Sequence, residues 1–116
     1  MNEELSKIER DYPPLFEEAY ECVRAKRVKK YVFKPSNRVR WVVVGKTRDY
    51  VVMTAVGYCS CEDFFFRVMS HEKPMCYHIL AVKIAEQTEQ YEVIEESDEW
   101  HWRLMHEWVM EYRQRG

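Results

Sequence analysis

Cys59-Ser60-Cys61 is followed, fourteen residues later, by Cys76-Tyr77-His78. Three thiolates and one imidazole make a closed tetrahedral donor set, which suits a structural Zn²⁺ rather than a catalytic one that must keep a position open for water. The spacing also says how the donors can be held. Side chains at i and i+2 point the same way only on extended backbone, so Cys59 and Cys61 belong at a strand end. On a helix the same spacing separates side chains by about 200°, so Cys76 belongs at a helix start and His78 in its first turn. Pro74 precedes the pair, and the apolar run Ile79, Leu80, Val82, Ala85 follows it. Zn²⁺ with three thiolates carries net negative charge, which a helix N-terminus stabilises. The expectation is one structural Zn²⁺ per chain on Cys59, Cys61, Cys76 and His78. His71 is a weaker alternative to His78, because it lies inside the spacer. Cys22, beside Phe16, Ala19, Tyr20 and Val23, reads as a small buried hydrophobe.

The pattern C-x-C, spacer, C-x-H resembles the SWIM zinc finger. A hairpin before the first pair, Asp63-Phe64 just after it, and Ile79-Leu80-Ala81 after the histidine extend the likeness over Arg38 to Ala85. Ala81, three residues past His78, is also a feature of the SWIM subunit of the eukaryotic Shu recombination complex, and the chain's small size resembles stand-alone archaeal members. The resemblance implies a non-enzymatic zinc-stabilised protein in DNA transactions. It would be an accessory subunit in homologous recombination or repair that binds a recombinase-like ATPase and DNA. The alternative is a general nucleic-acid-binding or transcription adaptor.

The elements that must position the donors are few. Residues 2–10 suggest a short acidic helix, and after Pro13-Pro14 a second runs from Leu15 to about Lys30, its apolar stripe at Leu15, Phe16, Ala19, Tyr20 and Val23. Val- and aromatic-rich strands follow at Tyr31–Lys34, Arg38–Val44 and Tyr50–Val56, with turns at Pro35-Ser36-Asn37 and Gly45 to Asp49. On the middle strand Val39, Trp41 and Val43 share one face, and Arg38 and Arg40 the other. Phe64-Phe65-Phe66 is expected to pack beneath the metal. Residues 86–99 hold seven acids and no base, and read as a solvated face or linker. Ser97 reads as the N-cap of a last helix over 98–113. The expected fold is therefore α+β: a small antiparallel β-meander carrying a zinc-bound ββα finger, with flanking helices. It forms one domain over 1–116, with N-terminal helices in 2–30, the finger in 38–85 and the C-terminal helix in 98–113.

Charge is unevenly distributed. Residues 1–23 carry −5, residues 24–48 carry +10 with no acid, and residues 49–116 carry −7, which together give the net −2. Such a basic block suits nucleic acid even in a chain of pI near 6.1. Arg24, Arg27, Lys29, Lys30, Lys34, Arg38, Arg40, Lys46 and Arg48 are its candidate contacts. On the last helix Trp100, Met105, Trp108 and Tyr112 are candidate anchors for a protein partner, either an ATPase or a second copy. No phosphate loop, dinucleotide fingerprint or nucleophile elbow occurs, so no small-molecule substrate is expected. No apolar run reaches membrane-spanning length and the N-terminus lacks a leader pattern. The expected location is cytoplasmic, on the nucleoid if the cell is prokaryotic or archaeal.

Overall fold

The computed structural model describes residues 2–61 and 75–115, with side chains as far as residue 109. The first two elements are helices, α1 (Glu3–Asp11) and α2 (Pro13–Arg24). Asn2 caps α1 by accepting from the Leu5 amide, and Glu3 and Glu4 occupy the first turn, where negative charge is favoured. Prolines open α2, whose buried stripe is Leu15, Phe16, Ala19, Cys22 and Val23.

α2 is shorter than its charge pattern suggests. Lys26 adopts a left-handed conformation, φ 60°, and the amides of Lys26 and Arg27 close back onto the carbonyls of Val23 and Cys22. That is a Schellman turn with lysine where glycine is usual. It stops the helix at Arg24, so Lys29 and Lys30 belong to a strand instead.

That strand is β1 (Val28–Lys34), followed by β2 (Arg38–Val44), β3 (Asp49–Met53) and β4 (Tyr58–Cys59). They pair antiparallel in sequence order, which is the expected meander. Asn37 takes a left-handed φ in the first turn, a conformation asparagine tolerates. Gly45 is required in the second. A Cβ there would come within 2.5 Å of the Arg48 carbonyl and 2.7 Å of the Tyr50 ring.

Helix α3 (Tyr77–Thr88) and strand β5 (Glu92–Ser97) follow. β5 runs parallel to β1, Lys29 opposite Glu92 through Lys34 opposite Ser97, and gives a mixed sheet of order β4-β3-β2-β1-β5. The acidic segment read as a solvated linker is thus partly a strand. Its physical reason is charge pairing: an acidic strand lies beside the most basic one, and Lys29 Nζ sits 3.0 Å from Glu92 Oε1.

Ser97 caps a single 3-10 turn, Asp98–Trp100, that leads into α4 (His101–Arg115). The two sheet faces have separate cores. Val28, Trp41, Val43 and Val52 pack against α1, α2 and α3, while Phe33, Val42 and Val51 pack against Trp108, Leu104, Met105 and Val109 of α4. No helix among the described residues is long and apolar enough to cross a membrane.

Two expected anchors on α4 are corrected by this packing. Trp108 is 4% exposed, its ring edge-on to Tyr31 at 4.9 Å, and Met105 packs on the same cluster. They cover the sheet because Phe33, Val42 and Val51 would otherwise face water. Trp100 lies in the 3-10 turn before α4 and stays exposed, unlike Trp108. Of the tryptophans, Trp100 and Trp102 are the exposed ones, at 42% and 72%. The side chain of Tyr112, His71 and the Phe64-Phe65-Phe66 run lie outside the described residues.

Candidate metal centre

The two halves of the centre come from different kinds of backbone, as the spacing requires. Cys59 ends β4, and its strand pairs with Val52 of β3. The next residue faces the opposite side of the sheet: Ser60 Oγ donates to the Trp108 carbonyl at 3.2 Å and accepts from the Val51 amide at 3.1 Å. Cys61 then returns to the Cys59 side, and both are buried against the α1–α3 core. On the other half, Cys76 is the N-cap residue of α3 with extended backbone, and His78 is the second residue of the helix.

The Sγ atoms of Cys59, Cys61 and Cys76 and a ring nitrogen of His78 all lie within 4.8 Å of one another, and all four residues are buried. His78 is flanked by the rings of Tyr50 and Tyr77, with centroids 4.4 and 4.0 Å away. Its Nδ1 is buried without a hydrogen-bond partner, a costly state for a polar atom unless a ligand uses the ring.

The thiols divide their protons unequally. Hydrogen bonds from Cys59 and Cys76 draw the Cys61 thiol far below its usual value, despite burial. The Cys59 thiol is held far above, first by its bonding to Cys61 and Cys76 and then by burial. Three thiols this close ionise together only when a cation takes up their charge. The donor set therefore fits Zn²⁺, which would supply that charge as a structural ion with all four positions taken by protein.

The structure disperses the proposed nucleic-acid residues. Lys29 is paired with Glu92, and Arg24 with Glu21. Lys30 sits between the rings of Trp41 and Tyr91, 5.7 Å from each centroid, on the α3 side of the sheet. Lys34 donates to Asn37 Oδ1. Arg27 is half-buried beside Cys22, and Lys46 is exposed on the turn after β2. Arg48 is corrected from a surface contact to a structural one. It is 8% exposed and donates to the Ser60 carbonyl at 2.8 Å, bracing the backbone between Cys59 and Cys61. Only Arg38 and Arg40 stand together, one residue apart on the α4 side of β2, opposite Phe33 and Tyr31 of β1.

Sequence reasoning missed His101, which is fully buried at the start of α4 and accepts from Arg38 at 3.0 Å. Its place in the row His101-Met105-Val109 was the available signal.

A mixed sheet with a buried Cys₃His cluster between a strand end and a helix start defines a zinc-finger-type α+β protein. The chain is 36% identical over 80 residues to a zinc finger SWIM domain-containing protein 7 homolog of Dictyostelium discoideum, covering 67% of this chain and 51% of that protein. It is 35% identical over 79 residues to an uncharacterized protein of Archaeoglobus fulgidus, covering 68% of this chain and 60% of that protein. No family model matches the chain. The chain is a SWIM zinc-finger homologue, and the matched part spans between half and three fifths of these relatives' length.

Proposed function

We propose that the chain is a non-enzymatic SWIM protein, stabilised by one Zn²⁺ on Cys59, Cys61, Cys76 and His78. It serves as an accessory subunit in homologous recombination or repair. The observation that carries the reading is the closed cluster of four buried donors, in a chain similar to a SWIM domain-containing protein. Four protein ligands leave no open coordination position, so the ion's work is to tie the β3–β4 hairpin to α3. The resemblance to the Shu-complex subunit supports a recombinase-like ATPase as the protein partner and DNA as the shared substrate.

With Met105 and Trp108 turned inward, partner contacts fall to exposed parts of the molecule such as Trp100. Native co-purification from the source organism, with and without nuclease, tests the reading. Stoichiometric, nuclease-resistant capture of an ATPase is expected. Recovery of transcription proteins through nuclease-sensitive bridges would favour the adaptor alternative.

A further inference from the structure

Arg38 and Arg40 stand one residue apart on the same face of β2, with no carboxylate paired to either among the described residues. Arg40 is partly desolvated: its Nη1 donates to the Val39 carbonyl at 2.8 Å, while its Nε is buried without a partner. Burial, and then the like charge of Arg38, weaken its hold on its proton. The carboxylate of Asp98, which also faces His101, is already engaged, with one oxygen accepting from the Ser36 amide at 2.9 Å and the other from Ser36 Oγ at 2.7 Å. Two neighbouring guanidiniums with no ion-pair partner among the described residues favour an external anion.

The surroundings add a ring. Arg38 Nη1 donates to His101 Nδ1 at 3.0 Å, so the imidazole accepts there and braces the guanidinium. Beside it Trp102 is 72% exposed, with its ring 4.7 Å from that of His101 and 5.8 Å from the Arg38 guanidinium carbon. The fold gains little from so exposed an indole. A braced cation pair next to an open aromatic face matches a chain of phosphates and bases.

We propose that Arg38, Arg40 and Trp102 form a binding site for single-stranded nucleic acid, the two guanidiniums taking backbone phosphates and the indole stacking on one base. The inference deepens the nucleic-acid part of the function proposed above and rests on it. A single strand is the form that fits, because duplex bases are already stacked and offer no free face along the helix. A protein partner would also use Trp and Arg. Two adjacent like charges with no acid between them fit the regular negative charge of a nucleic-acid backbone better.

The test is binding of the zinc-loaded full chain to a fluorescent thymidine 15-mer and to a duplex of equal length, over a salt series. Trp102→Ala is expected to weaken single-strand binding about tenfold, the loss of one base stack, and to leave duplex affinity unchanged. Trp102→Phe should restore most of the loss. Arg38→Gln with Arg40→Gln is expected to flatten the slope of log affinity against log salt by about 1.4, the share of two phosphates on a single strand. Zinc content and thermal melting establish that the variants fold.

If wild-type protein binds the 15-mer and every variant binds it equally well, the site is overturned and the nucleic-acid reading survives. If folded wild-type protein binds neither form, both fall. If Trp102→Ala spares the 15-mer but abolishes capture of the co-purifying ATPase, the patch is a protein interface and the proposal is wrong.

Discussion

At the scale of single residues, the three thiols and one imidazole gathered within 4.8 Å lead us to expect a folded state that depends on a cation. Structural zinc contributes about 10–16 kcal/mol of apparent binding free energy in finger peptides, against about 5–15 kcal/mol of total stability for a domain. Cys76→Ser should therefore abolish stoichiometric zinc and the cooperative melt, read by metal analysis and calorimetry. Cys22→Ala, at a buried cysteine of α2 outside the cluster, should keep the metal. His101 gives a second prediction. Burial, then Arg38 and Arg40, lower its pKa in the folded protein, only partly offset by Asp98. The unfolded chain, with a histidine pKa of about 6.5, binds the proton more readily. The neutral imidazole's contribution is thus complete above about pH 6.5 and is lost as the pH falls toward the lower folded value. Urea melts at saturating zinc should show this slope in wild-type protein and a flatter one in His101→Gln. The metal ligands were legible in sequence because i, i+2 spacing restricts the backbone so strongly. His101 was not, because burial of one histidine depends on which face of α4 the sheet covers.

At the scale of elements, the instructive case is α4. Its apolar rows are visible in sequence, but their destination is not. A helix that covers a sheet and one that binds a partner present the same stripe. What decides is the alternation in the strands: Val42 and Val51 face away from α1–α3 and need their own cover. Trp108→Ala should cost about 3–5 kcal/mol, as for other large core aromatics, with zinc still bound and no specific loss of partner capture. Deleting residues 98–116 should lower stability by more than that single change, because it uncovers Phe33, Val42 and Val51 together. The N-terminal boundary of the sheet was hidden for a different reason. The left-handed turn at Lys26 uses a residue type that gives no sign of it, so the basic run looked like a continuing helix. The meander itself could be read from Val-rich alternation and from the turn at Gly45.

At the scale of the whole molecule, the basic block (24–48) and the acidic segment (86–99) are separated by 37 residues of chain yet adjacent in the sheet. The linear +10 therefore overstates the cationic surface. Part of it is neutralised by β5, part is buried at Arg48, and the rest is divided between two faces. Net charge and pI could not show this, since only the pairing of β1 with β5 reveals it. That pairing also has a kinetic meaning. β1 through β4 join through neighbouring hairpins, whose loops close at little entropic cost, whereas β5 must wait for the chain to pass through α3 before it meets β1. The parallel ladder is, besides, slightly weaker per residue than its antiparallel neighbour. Assembly should therefore run from the meander outward, with β5 the last strand to register and the first to let go. Native-state hydrogen exchange measures this directly. Amides of 92–97 that pair with β1 should open at a lower free energy than those linking β2 to β3, and substitutions in β5 should speed unfolding while leaving the folding rate almost unchanged.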